Sequence, residues 1–282
     1  LNAPIEYSPK RRGWFYTEKT FRLPARFAAA DDMLALGMAN SLVSLYKNTP
    51  LYESALRLLN DITAPLTSDE NEDGEKIAWF EKRIVVPPVP FAPVPAETWA
   101  VIIDAMRENS VITFDYRGYL DEDYKTRLVR PYQLLFDTGA WFLYGYSEER
   151  STIRIFSLTR MKNAAITNEH FQLPKDFDYR VQNDGSYFGV FAGKKQRFKI
   201  VFNAFAARDI LDRLWAKDQK TTGHEDGEGI YIEFTSTQYN KVLSWVLSFG
   251  SGASPVEPPG LVEEWSQHIL ELYEEIKDYT AD

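Results

Sequence analysis

The chain has 282 residues, of which 44% are hydrophobic and 15% aromatic, so it is long enough for about two domains with sizeable cores. The absence of Cys excludes disulfides, thiolate metal sites and a cysteine nucleophile, and it fits a cytoplasmic protein. A formal net charge of −9 argues against non-specific binding of nucleic acid. The sequence contains no run of about 18 apolar residues, so no membrane-spanning segment is predicted.

The N-terminal region is predicted to form a hairpin followed by a helical connector. Apolar residues flank the turn at residues 8–13, which predicts a hairpin within residues 1–23. Apolar residues at helical spacing from Asp31 to Leu45 and from Pro50 to Ile62 predict two antiparallel helices. Their apolar faces could form either a small core or a dimer seam.

A proline-rich stretch separates this connector from the rest of the chain. An acidic loop at residues 68–76 and a strand at residues 77–86 are predicted to lead into it. Residues 87–95 then contain five prolines in nine positions, so this stretch must be extended and semi-rigid. We therefore predict a first domain at residues 1–94.

Residues 95–180 are predicted to form a small β-barrel preceded by a helix. Trp99, Ile102 and Met106 fall at helical spacing after Pro95. Short strands joined by tight turns follow, which is typical of a small barrel. The predicted strands cover residues 111–116, 127–135, 141–146 and 153–158.

Residues 190–282 are predicted to form a second folded domain. From Gln196 onwards the pattern runs strand, helix, strand, strand, helix, strand and a final helix from Leu261 to Tyr279. That order is a split βαβ, ferredoxin-like unit with an added helix. The predicted fold class of the whole chain is therefore α+β.

The chain lacks the sequence patterns of common catalytic, metal and cofactor sites. His170, His224 and His268 lie far apart and have no ligand-like spacing to one another or to paired carboxylates. No Walker A loop, G-x-G-x-x-G, H-E-x-x-H or G-x-S-x-G motif is present. We therefore expect a non-enzyme with no metal site and no cofactor.

Charge is distributed unevenly along the chain. Residues 125–162 contain seven basic residues against three acidic ones, whereas residues 257–282 contain eight acidic residues and Lys277 alone. The basic segment also carries aromatic residues on the predicted strands. Guanidinium groups match phosphates, and aromatic rings offer faces on which bases stack. The pattern predicts a site for a phosphate-bearing ligand that uses Tyr116, Arg127, Arg130, Tyr132, Trp141, Tyr144, Arg154, Ser157 and Arg160.

Single members of this set also have simpler interpretations. Trp141 is more typical of a core residue than of a ligand contact, and Arg127 could be solvated at the surface. Arg154 and Arg160 are harder to explain as surface residues, because each lies close to a strand in an apolar neighbourhood where an unpaired charge is costly.

Three motifs in this region resemble the WYL domain of bacterial transcription regulators. They are Arg127-Leu-Val-Arg130-Pro131, Gly139-Ala-Trp-Phe-Leu-Tyr-Gly-Tyr146, and Arg154-Ile-Phe-Ser-Leu-Thr-Arg-Met161. The Trp-Tyr-Leu signature of the family stands here as Trp-Phe-Leu at residues 141–143. Phe at the middle position lacks a hydroxyl, so this chain cannot make any hydrogen bond that the family makes there.

The resemblance extends to both sides of these motifs. Residues 1–16 are similar to the segment that follows the winged helix-turn-helix of these regulators, and residues 196–279 are similar to their C-terminal extension, called WCX. The resemblance implies a Sm-like or SH3-like barrel, a homodimer, and a nucleotide or short single-stranded nucleic acid as effector. It also implies that operator DNA is bound only through an N-terminal domain missing from this sequence. The effector contacts that it implies are Tyr116, Arg127, Arg130, Tyr132, Arg154, Ser157 and Arg160.

A second hypothesis is a protein-interaction or dimerisation module that never binds nucleic acid. The acidic C-terminal helix and the negative overall charge favour it. An enzyme acting on a nucleotide is a third hypothesis, but the sequence offers no paired general base and nucleophile.

Overall fold

The computed structural model describes residues 4–18, 30–43, 46, 49–67, 83, 85–87, 90–118, 121–182, 187–190, 193–224 and 227–280. The chain divides into two compact units, Leu1–Pro93 and Val94–Asp282. In the part of the chain that is described, no helix is both long enough and apolar enough to cross a membrane.

The first unit contains a hairpin and a pair of helices. Strands β1 (Ile5–Ser8) and β2 (Gly13–Tyr16) pair antiparallel, as the alternation around the turn predicts. Helix α1 (Ala30–Val43) and helix α2 (Tyr52–Thr67) contact each other. The predicted hairpin and both predicted helices are therefore present.

The second unit begins with helix α3 (Ala96–Glu108) packed on a five-stranded antiparallel sheet. The apolar side chains Trp99, Ile102 and Ala105 repeat every three residues and are buried, so one stripe of the helix faces the sheet. The helix ends at Asn109, whose left-handed backbone (φ 51°) forms the C-cap. The sheet order is β6-β5-β4-β3-β7. Its strands are β3 (Ser110–Tyr116), β4 (Lys125–Asp137), β5 (Ala140–Ser147), β6 (Thr152–Ser157) and β7 (Met161–His170).

The two faces of this sheet carry different clusters of buried side chains. The face towards α3 carries Phe114, Leu143 and Phe156, whereas the opposite face carries aromatic residues that include Tyr132 and Tyr144. A β-bulge interrupts β4, because Pro131 pairs with Gly145 and Gln133 pairs with Tyr144. The extra residue between these pairs, Tyr132, reverses the alternation of faces in the second half of the strand.

The end of the second unit is a four-stranded antiparallel sheet covered by helices on one face. Its strands are β8 (Gln196–Asn203), β9 (Lys220–Gly223), β10 (Gly229–Ser236) and β11 (Ala253–Glu257), in the order β11-β8-β10-β9. Alternate residues of β8, namely Phe198, Ile200 and Phe202, are fully buried in the core. The core is completed by side chains from three helices, α5 (Ala204–Leu211), α6 (Tyr239–Leu247) and α7 (Pro259–Thr280).

The predicted mixture of helices and antiparallel sheets is present. The sheet order places β6 and β7 at opposite edges, and no pairing between them occurs among the described residues. The Sm-like or SH3-like barrel and the ferredoxin-like assignment stay predictions.

Two elements of the second unit were not predicted from the sequence, and one prediction cannot be compared with the structure. The strand β7 and the short helix α4 (Tyr179–Gln182) are additions to the predicted order. The loop at residues 68–76 and most of the strand at residues 77–86 lie outside the described residues. Val85 and Val86, which are described, are not in a strand.

Candidate functional site

A cleft of about 360 Å³ opens at one end of the five-stranded sheet, where β3 and β5 end and β4 and β6 begin. Because neighbouring strands are antiparallel, these four strand termini lie at the same end of the sheet. The cleft is lined by Tyr116, Gly118, Asp121, Arg127, Ser147, Arg150, Arg154, Ile155 and Phe156.

Strand register places two of the lining arginines on the face towards α3. Arg127 pairs with Phe114 across β3 and β4, and Arg154 pairs with Gly145 across β5 and β6. Directly paired residues share a face of the sheet, and residues two apart on one strand also share it. Arg154 is therefore on the same face as Phe156, at the point where the apolar core gives way to the cleft.

Tyr116 forms an aromatic wall that the protein holds firmly. It is 6% exposed, and its ring meets that of Phe156 edge-on with 5.2 Å between centroids. Its hydroxyl accepts a hydrogen bond from the backbone N–H of Ser157 at 3.1 Å. The guanidinium carbon of Arg160 lies 5.4 Å from the Tyr116 ring centroid, which is within the range of a cation–π contact.

One carboxylate lies among the arginines of the cleft. Asp121 accepts a hydrogen bond from the backbone N–H of Gly118 at 3.0 Å, and its other neighbours are the Lys125 ammonium at 3.5 Å and the Arg127 guanidinium at 3.8 Å. The Gly118 hydrogen bond is the main cause that lowers the pKa of Asp121 below its usual value, so the group is charged at neutral pH.

The other two lining arginines are available to a ligand. Arg127 is only 14% exposed and is already matched by Asp121, whereas Arg150 and Arg154 are exposed. Among the described residues neither Arg150 nor Arg154 has a carboxylate within salt-bridge distance. The cleft therefore holds three guanidinium groups against one carboxylate, and its field favours an anion.

The remaining predicted site residues lie outside the cleft. Arg130 donates from Nε to Glu148 at 2.5 Å, and its guanidinium lies 5.2 Å from the Tyr146 ring centroid. The hydrogen bond to Glu148 raises the pKa of Arg130, and both interactions hold its charge on the opposite face of the sheet. This position does not support the predicted role of Arg130 as a ligand contact.

Three aromatic residues of the predicted site belong to the core. Tyr132 and Tyr144 are buried on the face away from α3, where burial raises the pKa of both hydroxyls. Trp141 packs edge-on against Trp99, with 5.0 Å between ring centroids. The structure thus brings Tyr116, Arg127 and Arg154 into the cleft, with Ser157 and Arg160 against Tyr116, and it leaves these three aromatic residues away from it.

The structure also adds residues that the sequence analysis did not assign to the site. Arg150 reaches the cleft from the turn between β5 and β6, Asp121 from the loop before β4, and Ser147 from the end of β5. Arg150 is one of the seven basic residues in residues 125–162, but its position in a turn predicts no direction for its side chain. The signal that could have found it is its short distance in sequence from Arg154.

A second cleft, of about 430 Å³, lies in the four-stranded domain. It is lined by residues from the end of β8, the start of α5 and the turn before β10, including Phe205 and Glu228. None of its lining residues is Lys or Arg. A phosphate-bearing ligand therefore favours the cleft of the five-stranded sheet.

Comparison with known families identifies both parts of the second unit. Residues 97–166 match the WYL domain model, and residues 194–272 match the WCX domain model. The candidate cleft lies wholly within the first of these ranges.

Three relatives carry similar sequence. The DNA-binding transcriptional repressor CapW of Pseudomonas aeruginosa is 29% identical over 106 residues, 38% of this chain and 35% of CapW. Protein PafB of Mycobacterium tuberculosis is 30% identical over 168 residues, 58% of this chain and 49% of PafB. The uncharacterized HTH-type transcriptional regulator YobV of Bacillus subtilis is 23% identical over 278 residues, 96% of this chain and 85% of YobV.

The matched segments thus span about a third of CapW and about half of PafB. The resemblance that the three sequence motifs predicted is confirmed by both domain models. The chain belongs to the WYL-domain proteins and carries a WYL domain followed by a WCX domain.

Proposed function

We propose that this chain is the sensing portion of a transcription regulator and that its WYL cleft binds a nucleotide or a short single-stranded nucleic acid. The observation that carries the proposal is the pair of exposed arginines, Arg150 and Arg154, beside Arg127 and the aromatic wall of Tyr116. Guanidinium groups bind phosphate oxygens in a forked geometry, and ligand pockets typically have volumes of about 300–1,000 Å³. The cleft, of about 360 Å³, falls within that range.

The relatives support a regulatory role. CapW is named as a transcriptional repressor and YobV as an HTH-type transcriptional regulator. In this proposal the ligand biases a cytoplasmic homodimer, and a winged helix-turn-helix of the whole regulator binds operator DNA. The role of the cleft is binding and not catalysis.

The proposal is tested by fluorescence anisotropy with short labelled single-stranded oligonucleotides. The double variant Arg150→Ala, Arg154→Ala should bind about tenfold more weakly or worse, because it removes both exposed guanidinium groups that line the cleft. The variant Arg107→Ala, Arg208→Ala removes the same charge from exposed positions outside the cleft and should bind like wild type. Equal affinity of wild type and the cleft variant would contradict the assignment of the site. Failure of wild type to bind nucleotides or oligonucleotides would contradict the proposed function.

Asp121 should weaken the binding of an anionic ligand, because its carboxylate lies beside Arg127 inside the cleft. We expect Asp121→Asn to bind the same oligonucleotide about threefold to tenfold more tightly at low salt, since a nearby negative charge is lost. The amide oxygen of Asn can still accept the hydrogen bond from Gly118. Anisotropy titrations at two salt concentrations measure the change.

The control for this prediction is Glu122→Gln, which removes a charge from the neighbouring exposed position that does not line the cleft. Its affinity should stay within twofold or so of wild type, since exposed charges are screened by solvent. Weaker binding by Asp121→Asn would instead assign the carboxylate to direct recognition of the ligand.

A further inference from the structure

The WYL cleft carries more positive charge than an internal phosphate of a nucleic acid requires. Its lining contains the guanidinium groups of Arg127, Arg150 and Arg154 against the carboxylate of Asp121, which leaves an excess of two positive charges. That carboxylate is also matched by the ammonium group of Lys125, at 3.5 Å. An internal phosphodiester carries one negative charge, whereas a phosphomonoester carries about −1.5 to −2 at pH 7. The charge of the cleft therefore matches the monoester.

Two glutamates lie in the turn beside the cleft, and both are held by partners of their own. Glu148 accepts the hydrogen bond from Nε of Arg130, which lies on the opposite face of the sheet. Glu149 accepts hydrogen bonds from the backbone N–H of Leu128 at 2.6 Å and from the hydroxyl of Ser147 at 2.9 Å. Neither glutamate lines the cleft. The excess charge of the cleft is therefore not cancelled from this turn.

The apolar end of the cleft is closed by the core of the domain. Tyr116 and Phe156, each 6% exposed, meet edge-on there, and Phe156 also meets Phe114 edge-on with 5.4 Å between ring centroids. The volume of about 360 Å³ is at the lower end of the range for a pocket that holds one small ligand. A site of this size with a closed end has room for about one nucleotide, and a strand cannot thread through it. It fits a free mononucleotide or the terminal nucleotide of a strand.

The two exposed guanidinium groups also suit the oxygens of a phosphomonoester. Each guanidinium can present two parallel N–H donors to phosphate oxygens. Arg150 lies in the turn after β5 and Arg154 lies on β6, so the two groups reach the cleft from different elements. A monoester offers three terminal acceptor oxygens, whereas a diester offers only two. Three oxygens can serve both guanidinium groups, but two oxygens must be shared between them.

We propose that the WYL cleft selects a phosphomonoester, carried by a mononucleotide or by the end of a single strand, over the internal phosphodiesters of nucleic acid. This inference rests on the proposed function, because it names the ligand class of the same cleft. A domain with this selectivity responds to the number of phosphorylated ends and not to the total amount of nucleic acid.

Fluorescence anisotropy of the full chain with three probes of one sequence tests the selection. The probes are short thymidine oligonucleotides, labelled on an internal base, with a 5′-phosphate, with a 3′-phosphate, or with hydroxyls at both ends. We expect one phosphorylated probe to bind about tenfold more tightly than the unphosphorylated probe, because it adds a negative charge and an acceptor oxygen. Thymidine monophosphate should displace that probe, and thymidine should not. Tighter binding of the phosphorylated probe than of thymidine monophosphate would identify a strand end as the ligand, and equal binding would identify the mononucleotide.

A pair of double variants separates this inference from the proposed function. Arg150→Ala, Arg154→Ala should lose the preference for the phosphorylated probe, whereas Arg107→Ala, Arg208→Ala should keep it, because those exposed residues lie outside the cleft. If wild type binds phosphorylated and unphosphorylated probes equally and both are lost in the cleft variant, the inference is wrong and the proposed function stands. If wild type binds none of the probes, both are wrong.

The preference should also depend on pH, because a phosphomonoester has a second pKa of about 6. Lowering the pH from about 7.5 to about 5.5 should weaken binding of the phosphorylated probe about threefold and leave the unphosphorylated probe nearly unchanged. Arginine stays charged throughout this range, and none of the lining residues is His. The hydrogen bond from Gly118 holds the pKa of Asp121 below its usual value, so this group does not titrate here either. An equal pH dependence of both probes would assign the titration to the protein and contradict the selection of a monoester.

Discussion

Replacing Gly145 by Ala should destabilise the WYL domain by about 3 kcal/mol, one of the larger effects that a single methyl group can have. A Cβ at this position would lie 2.5 Å from the carbonyl oxygen of Arg130 and 2.8 Å from a methyl carbon of Val129. The first of these atoms belongs to the backbone of β4, which cannot turn aside as a flexible side chain can. The strands β4 and β5 would have to separate at the point where Pro131 and Gly145 pair.

Thermal unfolding measures this effect. We expect the Tm of Gly145→Ala to fall by roughly 5–10 °C, given the entropy of unfolding of a unit of this size. Gly223→Ala is the matched control, because nothing lies within 4 Å of a Cβ at that position. It should be neutral or slightly stabilising. A Tm of Gly145→Ala within a degree or so of wild type would show that the two strands can move apart at little cost.

Reversing the charge of Arg154 should nearly abolish binding of a single-stranded oligonucleotide, with an affinity lowered roughly a hundredfold. Arg154 is exposed and lines the cleft, and it pairs across the sheet with Gly145, which has no side chain to disturb. Arg154→Glu therefore replaces an attraction for phosphate by a repulsion without a cost in packing. Its melting curve should match that of wild type, which separates a binding defect from a folding defect.

Arg208→Glu is the control for this charge reversal. Arg208 is exposed on α5 and lies outside both clefts, so the variant has the same net charge as Arg154→Glu. Long-range attraction depends on net charge and falls equally in both variants, but only Arg154→Glu loses a local contact. An equal loss of affinity in the two variants would attribute binding to the general field of the protein.

The alternation of side chains along a strand could have shown which of the predicted site residues share a face of the sheet. Arg127 and Arg130 are an odd number of residues apart on β4, so they must lie on opposite faces of the sheet. The cleft contains Arg127, whereas Arg130 is held by Glu148 on the other face. The alternation of faces therefore indicates that only one of these two arginines can contribute to a site on one face of the sheet.

Other features depend on contacts that the sequence does not encode locally. The bulge at Tyr132 follows from the register of β4 against β5. Pro131 directly before it is the one local signal, because Pro inside a central strand is confined to bulges. Asp121 and Arg150 come from loops, where periodicity predicts no direction. The strand β7 is an edge strand that is exposed at most positions, so it lacks the apolar alternation by which strands are predicted.

The resemblance to the WYL family predicted the domain content correctly and left Trp141 and Tyr144 out of the contacts that it implied, but it kept Tyr132, which is buried on the other face. Tyr132, Trp141 and Tyr144 are aromatic residues on strands, as Tyr116 is, and nothing in the residue types separates a wall of the cleft from the core. The cleft residue and the three core residues differ in their position along the strand. Tyr116 is the last residue of β3, whereas the other three lie within β4 and β5.

The extra residue in β4 divides that strand into two segments of opposite phase. In the first segment Arg127 and Val129 point towards the α3 side, and in the second segment Leu134 does so. A substitution in the first segment leaves this phase unchanged. Deletion of one residue would instead merge the two phases and move Leu134 to the other side. The number of residues in β4 therefore decides which of its side chains face the helix.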